Sequence, residues 1–102
     1  MTVVRISLGR FDASNYLIVR TLLDESQASL KPAISGLNGN LAYYVGIDRE
    51  NNTMTNVSVW ASLDDAMQMA SLPAMLALAR TFTEIGVRFE TPITNHETLW
   101  SI

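Results

Sequence analysis

From Thr55 to Arg80 the chain carries one change of hydrophobic period and one helix breaker, and few folds accept that order. Thr55, Val57 and Val59 alternate with Asn56, Ser58 and Trp60, the period of two that gives a strand two distinct faces. Ser62 with Asp65 three residues later is close to a capping box, so a helix begins there and turns Leu63, Ala66, Met67 and Ala70 toward the interior. Pro73 has no N–H and clashes with the turn before it. It predicts a break at Ser71 and Leu72, then a fresh helix over Pro73 to Glu84 that stops at Gly86.

Upstream, Val3 to Leu8 alternates as well, with Val4, Ile6 and Leu8 on one face and Val3, Arg5 and Ser7 on the other. Gly9 to Asp12 ends that strand. Asp12 or Ser14 can cap a helix whose Leu17, Ile18, Leu22 and Leu23 form a broad stripe for lying on a sheet. Asp24 to Gln27 is polar and ends or bends it, and Ser29 to Leu37 makes a second segment with Pro32 close to its first turn. Asn38, Gly39 and Asn40 signal a turn into a second strand, Leu41 to Ile47.

The polar run Asp48 to Thr53 joins two strand-like segments and reads as a hairpin. With Asn51 and Asn52 as the turn, Ile47, Val45 and Tyr43 fall opposite Asn56, Ser58 and Trp60 on one face. Tyr44, Gly46, Val57 and Val59 share the other. Val87 to Thr91 is a fourth strand, limited by Pro92 to a sheet edge or a strand end. The tail is polar until Leu99, Trp100 and Ile102, which are expected to dock on something.

At 102 residues the chain is expected to be one domain, 1–102, with room for a single two-layer core. Hydrophobic residues make up 48 %, a surplus over what one small core needs, which suggests burial against another chain. Lysines and arginines are scattered and the net charge is -3, so there is no footprint for nucleic acid. The absence of cysteine excludes thiolate metal sites, disulfides and a cysteine nucleophile. No metal site is expected: Asp64 and Asp65 suit a helix start and lack a third ligand. No basic leader and no apolar run of about 18 residues is present, so the expectation is a cytoplasmic chain with no membrane partner.

Strand, helix, strand, strand, helix, strand is the split βαβ pattern: an α+β, ferredoxin-like βαββαβ domain with a four-stranded antiparallel sheet and helices on one face. The other face, with Val57, Val59 and Tyr44, then needs a partner, and a homodimer through this open face would close two sheets into a dimeric α/β barrel. In this element order, and in the run from Asn56 through Trp60 to Ala66, the chain resembles the dimeric α/β-barrel superfamily and its antibiotic-biosynthesis monooxygenase-like (ABM) group.

The resemblance implies a cofactor-independent monooxygenase-like protein, with no cofactor, acting on a small aromatic or polycyclic ketone or phenol between sheet and helices. Polyketide-oxidising members are similar in having an Asn four residues before the Trp, met here by Asn56 and Trp60. They use an Arg in the second helix, matched by Arg80 without a gap, whereas alignment on Pro73 brings Ala79 to that place. Where they have a Tyr after the Trp, this chain has Ala66. Haem-degrading relatives hold iron through a His in the second helix, and the one histidine here, His96, lies in the tail.

Asn56, Trp60 and Arg80 are therefore the candidate catalytic residues, with Tyr43, Ser58, Met67 and Met75 as candidate ligand contacts. Each has a plainer reading beside it. Trp60 and Tyr43 can be core aromatics packed across strands, the methionines core filler, and Arg80 a solvated helix residue. Asn56 on an apolar face must find partners in backbone or ligand. The alternative function is a non-catalytic small-molecule-binding or structural homodimeric module.

Overall fold

The computed structural model describes residues 1–102. Its sheet has β1 (Val3–Arg10) at the centre, β3 (Thr53–Trp60) on one side and β2 (Asn40–Asp48) beyond it. On the other side of β1 lie β4 (Arg88–Phe89) and β5 (Thr94–Glu97) in succession. Every pairing is antiparallel. Helices α1 (Tyr16–Glu25), α2 (Gln27–Ser35), α3 (Leu63–Met67) and α4 (Pro73–Glu84) complete an α+β ferredoxin-like fold.

The expected fourth strand is thus two strands, and the polar tail supplies the second. Pro92 has no N–H to give the ladder, so pairing with β1 lapses after Phe89 and resumes at Thr94. Beyond the last backbone bond, Thr98 N–H to the Thr2 carbonyl at 3.0 Å, Leu99, Trp100 and Ile102 stay exposed. Nothing in their own chain covers them.

The hairpin turn holds four residues, Arg49 to Asn52, because Asp48 pairs with Thr53. Asp48 Oδ1 accepts from the N–H groups of Glu50 and Asn51 at 3.0 and 3.1 Å, and its Oδ2 accepts from Asn51 Nδ2 at 2.7 Å. These bonds fix the longer loop and shift the register by two. Ile47, Val45 and Tyr43 face Met54, Asn56 and Ser58. An even shift moves partners without turning any side chain to the other face, so the two expected faces stand.

Pro73 begins α4 after Leu72 leaves the helical region at φ -69, ψ 115, and Gly86 stops it at φ 97. Ser62 caps α3 by accepting from the Asp65 N–H at 3.1 Å. Which residues α3 buries differs from the 3.6-period expectation. Gln68–Ser71 continues as a 3-10 turn, whose period of three takes Ala66 to Met69 and leaves Leu63, Met67 and Ala70 exposed. In α1 a preceding 3-10 turn, Ala13–Asn15, sets the phase, so Tyr16, Val19 and Leu23 are buried while Leu17 and Ile18 face solvent. Pro32 lies inside α2, because that helix starts at Gln27.

Two apolar clusters hold the helices to the sheet. One gathers Phe11, Val19, Leu23, Met54, Phe82 and Val87; the other gathers Val3, Leu30, Ile34, Trp60, Ala66 and Met69. Burying each large side chain stabilises by about 1.5–3 kcal/mol, so the clusters rather than the short helices' own propensities fix the architecture. Gly9 admits this packing at one end: a Cβ there would stand 2.9 Å from Val87 Cγ1.

Candidate functional site

Between the two clusters, the covered face of the sheet turns polar. Val3 and Trp60 belong to one cluster and Gly9 and Met54 lie at the other, while the two rungs between pair Arg5 with Ser58 and Ser7 with Asn56. Four polar side chains therefore share the inner face. The same alternation puts Val4, Ile6, Leu8, Val57 and Val59 on the uncovered face.

Apolar packing lapses at these rungs, and a cavity of about 240 Å³ lies at the Ser7–Asn56 rung. Ser7 and Asn56 stand in its wall, with Phe82, Phe89, Met75 and Leu78 among the apolar side chains around them. Asn56 Oδ1 is buried and receives no hydrogen bond. A carbonyl oxygen left so costs about 1–3 kcal/mol, which a ligand hydroxyl would recover. The same amide offers N–H donors to an oxyanion if its terminal group turns over. No lining residue is ionisable.

The other sequence candidates divide around this cavity. Met75 lines it. Trp60 does not: it is 0 % exposed, and its Nε1–H donates to Ser58 Oγ at 2.8 Å. Ser58 is buried one rung from Asn56, and Met67 lies on α3 with its sulfur 3.9 Å from Arg5 Nη1. Arg80 is exposed on α4, while the neighbouring Ala79 faces the cavity.

Tyr43 belongs to a different opening, a cavity of about 610 Å³ between β2 and the α1–α2 bend. Leu23, Ser26 and Leu30 border both cavities, since the bend at Ser26 separates them. The Tyr43 hydroxyl is buried without a partner, and loss of solvation pushes its pKa up to about 12. It is a neutral phenol at physiological pH.

Arg5 has no counterpart among the sequence candidates. It is 8 % exposed, beneath the helices, and no carboxylate pairs with it: the ion pairs are Arg10 with Glu90 and Arg88 with Asp12, both at the surface. Its Nη1 donates to Asn95 Oδ1 at 3.1 Å. Burial lowers its pKa from the ordinary arginine value, yet a guanidinium stays charged at neutral pH. The signal was present in the sequence as an arginine in an alternating strand, but the strand alone does not say which face is covered.

The sequence matches no protein-family model and no curated protein. Solved structures share the fold. An antibiotic-biosynthesis-monooxygenase-like protein from Deinococcus radiodurans superposes with a TM-score of 0.72 at 21 % identity, over 100 % of this chain and 96 % of that one. SnoaB, a cofactor-independent oxygenase from Streptomyces nogalater, gives 0.70 at 12 % identity over 99 % and 96 %. A dimeric protein of unknown function with a ferredoxin-like fold, from Bacteroides fragilis, gives 0.71 at 21 % over 95 % and 96 %. No helix here is long and apolar enough to cross a membrane.

Proposed function

We propose that the chain is a cofactor-independent monooxygenase-like enzyme that oxidises a small aromatic phenol or ketone in the cavity at Asn56, and that it works as a homodimer closed through its open sheet face. The observation that carries this reading is the unpartnered Asn56 carbonyl in a wall that is otherwise mostly apolar. Such a wall grips an aromatic ring, and one amide there fixes the position of its oxygen substituent. Likeness of fold to SnoaB, a cofactor-independent oxygenase, supports the reaction class.

The chemistry asks little of the protein. An anthrone-type CH2 loses a proton to give an anion, the anion passes an electron to dioxygen, recombination at carbon gives a peroxide anion, and the return of a proton makes it a hydroperoxide. Loss of water leaves C=O, so CH2 and O2 become C=O and H2O. Asn56 N–H would stabilise the anion's oxygen in a site that excludes water. Since no acid or base lines the cavity, the substrate enters as the anion it forms in solution, and kcat/KM is expected to rise with pH along the substrate's own ionisation.

Oxygen uptake with a panel of anthrones and hydroquinones tests this. Turnover is expected, with Asn56→Ala lowering kcat by about 10²-fold, the scale of one lost oxyanion donor. Saturable binding without uptake from any of them rejects oxygenation and leaves a binding module, a second reading that the lack of an ionisable cavity group favours.

A further inference from the structure

The feature that the oxidation scheme does not use is the charge beneath the helices. Arg5 is the one charged side chain among the buried residues, and each neighbour that could neutralise it falls short. Asn95 offers a single neutral oxygen, Met67 a thioether, and the cross-strand partner Ser58 is itself a donor. Ser58 Oγ accepts from Trp60 Nε1–H, which directs the hydroxyl's own proton elsewhere, and no acceptor in the chain takes it. Both Arg5 and Ser58 are donors on the covered face of the sheet, and no carboxylate of the chain pairs with Arg5.

This donor pair lies one rung from the cavity wall. β1 and β3 place Arg5 and Ser58 next to Ser7 and Asn56 on the same face, and Ile93, just before β5, lines the cavity as Asn95 holds Arg5. The diagonal from Asn56 to Arg5 spans about 7–8 Å between backbones, within the reach of one aromatic acid. Neither Arg5 nor Ser58 lines the cavity, so a ring there that meets the Asn56 carbonyl with a hydroxyl meets Arg5 with a carboxylate once the guanidinium turns from Asn95 and Met67 toward it. The planar fork of a guanidinium matches a carboxylate bidentately, a geometry that neither Asn95 nor Met67 supplies.

We infer that Arg5 and Ser58 form the anion-binding end of this cavity, and that its ligand is a hydroxyaryl carboxylate. The assignment rests on the proposed cavity being the binding site, but not on any oxidation there. Retaining a buried guanidinium without an acidic partner is unfavourable for the empty protein and becomes favourable when such an acid binds.

The test is calorimetric binding of matched pairs to the intact protein: 4-hydroxybenzoate and 6-hydroxy-2-naphthoate, each against its methyl ester. At pH 7 the acids are expected to bind at least tenfold tighter than the esters. Arg5→Met should remove that preference, bringing acid and ester to equal affinity, and Arg5→Lys should keep part of it. Thermal unfolding of Arg5→Met supplies an independent readout, because a ligand-binding arginine leaves the empty protein as stable or more stable when replaced. Equal affinity of acid and ester in the unaltered protein overturns the inference, whether or not the variant folds. So does 2-naphthol binding that strengthens through its own ionisation while acid and ester stay equal, which would assign Arg5 to a phenolate. Failure of oxygen uptake with the acid preference intact removes the oxidation and leaves the anion site standing.

Discussion

Trp60 and Tyr43 show how two aromatic residues on one sheet face come to different ends. Trp60 closes a cluster, its ring fully buried and its one polar atom bonded to Ser58 at 2.8 Å. Trp60→Phe is expected to lose about 1–3 kcal/mol in urea unfolding, from the freed Ser58 oxygen and the space the smaller ring leaves. Affinity for ligands without a carboxylate should stay unchanged, because Trp60 lines neither cavity and reaches the proposed anion end only through Ser58. A fall in affinity without loss of stability would restore a stacking role.

Tyr43 keeps an unbonded hydroxyl. Its pKa is raised to about 12 by burial, from an ordinary value near 10, so above pH 10 the unfolded chain releases its proton first. The unfolded state then binds fewer protons, and stability falls between about pH 10 and pH 12 by up to 1.4 kcal/mol per pH unit. Comparing unfolding of the unaltered protein and Tyr43→Phe across pH 9 to 11 isolates this term; parallel curves would refute it. The sequence offered both rings as pocket walls. Which one closes a core and which borders an opening depends on the α1–α2 bend at Ser26, and Asp24 to Gln27 gave only the bend's position, not its direction.

Among the elements, β3 and α4 follow the sequence most closely. Alternation from Met54 to Trp60 and the proline at 73 are strong local signals, and tertiary packing agrees with both. The shorter pieces do not, because a five-residue helix and its 3-10 extension take their phase from the cluster they touch. The hairpin lies between these cases: face parity was readable, loop length was not, since Asp48 stabilises a four-residue turn that residue types alone do not distinguish from two. In that turn Asn52 holds φ 54. Asn52→Gly should therefore be neutral or slightly stabilising, whereas Asn52→Val should cost about 1–2 kcal/mol in thermal unfolding. Equal effects of the two would mean that the loop relaxes around position 52.

For the molecule as a whole, the unresolved demand is the open face. β1 and β3 bury Val3, Met54 and Trp60 under helices, and the pleat then obliges Val4, Ile6, Leu8, Val57 and Val59 to point away from them. Tyr44 adds a ring that is 63 % exposed. A contiguous apolar sheet of this kind favours association, and a second copy supplies a surface of the same character through a two-fold axis. Sedimentation equilibrium at micromolar concentration is expected to show a dimer. Val57→Glu, at the middle of the face, should shift it to monomer and make the remaining fold less stable by no more than the lost association. Because dimerisation stabilises by mass action, the melting temperature of the unaltered protein should rise with concentration while that of Val57→Glu stays constant. A unaltered chain that sediments as a monomer, with a melting temperature independent of concentration, would mean that this face tolerates water and that the second copy is not needed.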